Sequence, residues 1–73
     1  MSVAKNIEIT SSSTVSFEDA IQSGIAKACS TIDNVRGAWI KEQKISIDGG
    51  KVAEYRVNMI ITFVLSENEN VSE

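Results

Sequence analysis

Two long runs of strand-forming residues, Val35–Ile47 and Lys51–Leu65, meet at Asp48-Gly49-Gly50 and leave the chain few choices. Glycine accepts the φ > 0 that a tight turn demands, so this tripeptide between two such runs predicts a β-hairpin. Successive strand residues point to opposite faces. In the second run Ala53, Tyr55, Val57, Met59, Ile61, Phe63 and Leu65 therefore share one side, and Val52, Glu54, Arg56, Asn58, Ile60, Thr62 and Val64 the other. The first set is a core face; the second is mixed. The first run alternates less cleanly. Parity groups Val35, Gly37, Trp39, Lys41, Gln43, Ile45 and Ile47 against Arg36, Ala38, Ile40, Glu42 and Lys44, and a bulge would switch these sides partway along.

Upstream, Val3 to Thr10 also alternates, with Val3, Ile7 and Ile9 opposed to Asn6, Glu8 and Thr10, which predicts a half-buried first strand. Ser11-Ser12-Ser13-Thr14 reads as a polar connector; the alternative is that its hydroxyls and amides meet a ligand phosphate. Ser16 is a suitable N-cap, with Asp19 three residues on as a shorter form of the capping-box glutamate. Glu18 and Asp19 suit the positive end of a helix dipole. Phe17, Ala20, Ile21, Gly24, Ile25, Ala28, Cys29 and Ile32 then recur at helical spacing, and Asp33-Asn34 closes the helix. Gly24 and Ala28 let that helix lie close to a sheet.

The element order is thus β-α-β-β, an α+β layer pair. A short connection out of the helix makes the second strand parallel to the first, so the third fits between them, giving a three-stranded antiparallel sheet in the order 1-3-2 wrapped on one helix. A helix of about 16 residues spans ~24 Å, whereas strands of about 14 residues reach ~46 Å. The hairpin must outrun its helix, and the excess is expected to carry Tyr55 or Phe63. The other face offers Trp39, Ile45, Ile47, Ile60 and Val64 with no second helix to cover them, which marks an interaction surface.

Size points the same way. The chain has 73 residues, read as a single domain over 1–73, and a core this small rarely supplies more than about 3–5 kcal/mol. One cysteine excludes an internal disulfide, and the absence of histidine leaves no zinc site to propose. Oligomerisation is the remaining source of stability, so the expected partner is the chain itself. A formal net charge of −3 disfavours nucleic acid, which calls for a basic face. No apolar run approaches the roughly 20 residues of a membrane span, and MSVAKNIEIT holds no secretory apolar segment. A cytoplasmic protein is expected. Residues 66–73 form a polar, acidic tail, expected to be solvated.

Little in the sequence suggests catalysis. Cys29 lies within the apolar helical stripe, where a buried structural thiol is expected, and no histidine is present to activate it. Glu42 and Asp48 sit on the hairpin without the pattern of a calcium loop, so any metal site would have to be assembled from several chains. The expectation is a protein that is not an enzyme.

The chain resembles the dodecins, small flavin-binding proteins that assemble as hollow dodecamers. The resemblance runs from about Val3 to Leu65. It is carried by Phe17-Glu18-Asp19-Ala20-Ile21 opening the helix, Asp33-Asn34-Val35 closing it, and Asp48-Gly49-Gly50-Lys51-Val52-Ala53-Glu54-Tyr55 at the turn. It implies a homododecameric shell with helices outside and sheets inward, and a non-catalytic role in binding or storing a flavin such as FMN or riboflavin. In typical dodecins a tryptophan stacks on the isoalloxazine ring at the position matching Gly37, and a glutamine bonds the ring's pyrimidine edge at the position matching Arg56. Both contacts have changed here. Val35-Arg36-Gly37-Ala38-Trp39-Ile40-Lys41-Glu42-Gln43 is similar to the dodecin branch described as calcium-binding, which lacks the stacking tryptophan. The candidate ligand residues are therefore Gly37, Trp39 and Arg56. Trp39 lies about 7 Å along the same strand face from Gly37, close enough for its indole to fold over the glycine. Arg56 is placed to donate to a carbonyl or phosphate. Their alternative roles are subunit packing for Trp39 and pairing with a neighbouring chain's Glu42 or Glu54 for Arg56. If flavin binding has been lost, the same shell binds calcium or another ion, or serves assembly alone.

Overall fold

In a computed structural model the backbone is described for residues 2–72 and side chains for residues 3–65. The acidic side chains expected to form the tail at 66–73 lie outside the latter range. The elements are β1 (Ser2–Ser13), α1 (Phe17–Thr31), β2 (Val35–Asp48) and β3 (Lys51–Ser72). They form a three-stranded sheet in the order β1-β3-β2, with both neighbouring pairs antiparallel. The β-α-β-β order and the central third strand are those expected from the hairpin and the short helical crossover.

The hairpin closes through Asp48 opposite Lys51, with Gly49 at φ 60° and Gly50 at φ 77°. Two consecutive positive φ angles are what a two-residue turn needs to match the twist of its strands. At the other end of the molecule Asn34 takes φ 63°, a conformation asparagine tolerates better than most residues. Its carbonyl accepts from the Val64 amide at 3.0 Å, which fixes where β2 departs from the helix.

The core is a single seam. Met59, Ile61 and Val57 of β3 are fully buried with Ala20 of α1, and Ala28 is nearly so. Ile7, Ile9, Phe17, Ile21, Ile25, Ile32 and Val35 pack around them. Ala20, Gly24 and Ala28 form one row along the helix and lie flat on the sheet. A Cβ added at Gly24 would stand 2.8 Å from Met59 Cε and 3.0 Å from Ser11 Cβ, so any larger residue would require the Met59 side chain and Ser11 to shift. Cys29 departs from expectation: it is exposed. It continues the neighbouring row of Ile21 and Ile25 and lines an open recess beside the start of β2 with Val35, Arg36, Gly37 and Ala38.

The serine run also differs from expectation. Ser11, Ser12 and Ser13 belong to β1, paired with Val57, Arg56 and Tyr55, because β3 supplies hydrogen-bond partners well past Thr10. Ser13 is buried. Its hydroxyl donates to Asp19 Oδ2 at 2.6 Å and accepts from the amides of Val15 at 2.9 Å and Ser16 at 3.4 Å. Ser16 caps the helix as expected, its hydroxyl accepting from the Asp19 amide at 3.0 Å. The Asp19 carboxylate, however, bonds Ser13 instead of reaching back to the Ser16 amide. These hydroxyls complete a helix start and leave little for a phosphate.

Three register shifts punctuate the β2–β3 pairing, between Val35 and Gly37, Ile40 and Glu42, and Ser46 and Ile47. Each adds a residue on one strand and resets which side chains face the helix. Residues directly opposite across a ladder share a side, so Val35 with Phe63, Ala38 with Ile61, Ile40 with Met59, Gln43 with Val57 and Ile45 with Tyr55 all face α1. Gly37 with Thr62, Trp39 with Ile60, Glu42 with Asn58 and Lys44 with Arg56 face the open side. The extra residue at Lys41 therefore moves Ile45 and, two residues on, Ile47 to the helix side, against the simple parity expectation. Both are nonetheless exposed, as is Val52, because the hairpin tip projects beyond the first turn of α1. The molecule extends 56 Å along its long axis, against ~22 Å for the helix. Neither Tyr55 nor Phe63 lies in the excess. Both are half-buried, Tyr55 with its ring edge-on to Phe17 at a centroid distance of 5.2 Å.

Candidate functional site

The side of the sheet away from α1 carries the chain's remaining chemistry. Gly37, Trp39 and Arg56, the three residues singled out from the sequence, all face it. Gly37 and Trp39 sit side by side, and a Cβ built on Gly37 meets nothing within 4 Å. The Trp39 indole is 52% exposed. It lies beside an unfilled strip of strand, above the half-buried side chain of Ile60. Arg56 is on the same face but not in the same place. Opposite Lys44 and Ser12, it stands four residues along β3 from Ile60, or about 13 Å by strand rise. Its Nε and Nη2 each lie 3.2 Å from Oε1 of Glu54 in its own chain.

Nearer to Trp39 is a set of polar groups that sequence reasoning did not assign to the site. Glu8 is directly opposite Ile60, which is directly opposite Trp39, so the three span the sheet in one line. Lys41, on the open face two residues after Trp39, reaches across β3 to place Nζ 3.2 Å from Glu8 Oε1. Asn58 Nδ2 donates to Glu8 Oε2 at 3.3 Å, and Thr10 Oγ1 donates to Asn58 Oδ1 at 3.1 Å. Alternation alone put Glu8, Thr10 and Asn58 on this side. Alternation placed Lys41 there too, with Gly37 and Trp39; what it could not show is that the Lys41 ammonium crosses β3 to Glu8.

Ion pairs run along this face. Glu8 pairs with Lys41, Glu42 with Lys44 at 3.4 Å, and Glu54 with Arg56. All are solvent-exposed pairs of the kind that contribute about 0–1 kcal/mol each. Among the described residues no group of three or more His, Cys, Asp or Glu side chains is arranged to hold a metal ion. A recess of 330 Å³ lies elsewhere, between α1 and the free edge of β1, lined by Ile7, Ile9, Gly24, Ala28 and Ile32 among others. It continues the apolar core. No helix among the described residues is long and apolar enough to cross a membrane.

Comparison with known proteins agrees with this architecture. The sequence profile of the family described as Dodecin matches residues 3–66. The calcium dodecin of Mycobacterium tuberculosis is 32% identical over 63 residues, covering 86% of this chain and 89% of that protein. Its solved structure, described as that of a calcium-chelating antigen with a novel calcium-binding site, superposes with a TM-score of 0.77 at 28% identity, covering 94% of this chain and 99% of that one. The dodecin from Streptomyces davaonensis gives a TM-score of 0.85 at 26% identity, over 90% of this chain and 97% of that one. A T. thermophilus dodecin variant gives 0.85 at 31% identity, over 93% and 100%. With the profile spanning nearly all of its sequence and the same β-α-β-β sheet order, this chain belongs to the dodecin family.

Proposed function

We propose that the chain is a non-catalytic binding and storage module that assembles into a closed homododecamer and holds a planar aromatic ligand, a flavin, on the open face of its sheet. One observation carries the ligand reading: a half-exposed indole, Trp39, stands beside the bare backbone of Gly37 on a face that no element among the described residues covers. Stacking on an indole contributes about 0.5–1.5 kcal/mol beyond area burial, and the absent side chain at Gly37 leaves room for the ring. Assembly is supported by the apolar side chains left in solvent. Val15 is 70% exposed and Ile47 67%, and Ile45 and Val52 are close to half exposed. Burial of such residues against further copies would supplement a core confined to one seam.

Titration with riboflavin or FMN tests the ligand. Fluorescence quenching at micromolar protein, weakened at least tenfold by Trp39→Ala, is the expected result; no quenching removes the flavin reading. Light scattering should give about twelve times the 7.9 kDa chain mass, and a monomer would end the assembly proposal.

A second reading, an ion-binding shell, is favoured by two observations: a calcium dodecin is among the relatives, and Gly37 and Arg56 stand at the positions where typical dodecins contact the ring. Against it, Glu8, Glu42 and Glu54 on the open face each already have a cation. No group of three or more potential ligands is found among the described residues, so the ion would have to draw its oxygens from several copies. A melting temperature that rises with calcium and ignores flavin would favour this reading over the first.

A further inference from the structure

Arg56 is the family-equivalent candidate for contacting the polar edge of a bound ring, but its guanidinium is engaged by Glu54 and its backbone stands about 13 Å along the strand from the Trp39–Ile60 line. We propose instead that the edge of a ring held against Trp39 is read by Glu8, Lys41 and Asn58. This rests on the ligand reading above and deepens it.

The placement follows from register. Neighbouring strands are about 4.8 Å apart, so Glu8 lies about 10 Å across the sheet from Trp39, with the apolar Ile60 as the floor between them. A flat ring stacked on the indole and resting on Ile60 extends toward Glu8.

The groups are held in order before any ligand arrives. Thr10 donates to Asn58 Oδ1, which turns the Asn58 amide nitrogen toward Glu8. Lys41 holds the other carboxylate oxygen.

Each group keeps spare capacity. A carboxylate offers about four acceptor sites, an ammonium three donors and a carboxamide two, and the contacts described use only some of them. The side chains of Lys41 and Glu8 are also accessible, at 52% and 43% exposure.

Together they present donor, acceptor, donor: ammonium, carboxylate, amide. The complementary edge is carbonyl, N–H, carbonyl, an imide flanked by two acceptors. The pyrimidine ring of an isoalloxazine carries such an edge, and the central N–H is the group that Glu8 accepts. Hydrogen bonds to charged groups are the stronger kind, so the N–H is the atom on which recognition turns.

The test uses the full-length protein and riboflavin fluorescence quenching. Wild type should bind, Glu8→Gln and Lys41→Met should weaken binding at least tenfold, and Arg56→Gln should change it less than threefold. Riboflavin methylated at the imide nitrogen should bind wild type at least tenfold more weakly than riboflavin does, whereas Glu8→Gln should hardly distinguish the two. Loss on Arg56→Gln with Glu8→Gln and Lys41→Met unchanged would overturn the inference while leaving the flavin reading intact. No quenching by wild type would overturn both. If a variant changes the light-scattering mass, the methylated ligand on wild type decides alone: a difference under twofold overturns the assignment.

Discussion

The two faces of this sheet are made from alternate residues of the same strands, yet they work by different physics. On the helix side Val57, Met59 and Ile61 are completely buried against Ala20 and Ala28, and a methyl group added at Gly24 would collide with two neighbours. On the open side Asn58 and Ile60, their immediate neighbours in sequence, are only half-buried, and a methyl group added at Gly37 would touch nothing. The first face is packed to the point where sequence is constrained by volume. The second is organised by exposed ion pairs and amide hydrogen bonds, which hold side chains in place while leaving the surface accessible. Stability and recognition are separated by one residue of register.

That contrast can be broken by paired substitutions. Ile61→Ala should cost about 2–5 kcal/mol, comparable with the ~3–5 kcal/mol such a core supplies, so urea unfolding followed by far-UV circular dichroism should show a largely unfolded protein. Ile60→Ala, one residue away, should cost about 1 kcal/mol; equal effects would refute the division between faces. In the serine run, Ser13→Ala removes a buried hydroxyl with three hydrogen bonds and should cost about 1–3 kcal/mol. Ser12→Ala, opposite Arg56 on the open side, should stay within about 0.5 kcal/mol.

Where the helix hands over to β2, Asn34→Ala should cost about 1 kcal/mol because of the positive φ, and Asn34→Gly should not. A melting curve of each at one protein concentration separates backbone strain from lost side-chain contacts. The smallest effect is expected at Lys41. Lys41→Ala should change unfolding by about 0–1 kcal/mol, with the difference shrinking as salt screens the exposed pair with Glu8. A salt-independent loss larger than Ser13→Ala would mean that the open face is a second core.

Most of the scaffold is legible in the sequence because it rests on local rules. The Gly49-Gly50 pair dictates a turn, the unbroken alternation from Tyr55 to Phe63 dictates one buried face, and the four-residue spacing of Ala20, Gly24 and Ala28 dictates where the helix lies down. A short crossover then leaves the third strand only the middle position. The candidate site was half legible: alternation placed Gly37, Trp39 and Arg56 on one face, but it gave no sign that Arg56 would be bound to Glu54 or stand apart from the indole.

What only the tertiary structure decided are the bulges and their consequences. A bulge belongs to two strands at once, since it depends on which residue of the partner each residue meets, and no periodicity within one strand encodes that. The extra residue at Lys41 sends Ile45 and Ile47 to the helix side, and the pairing of β3 with both its neighbours brings the Lys41 ammonium to Glu8. Likewise Cys29 is exposed, although it follows the helical spacing, because it faces an open recess at the start of β2. Pattern along the chain fixed which elements form; pairing between chain segments fixed which side chains meet.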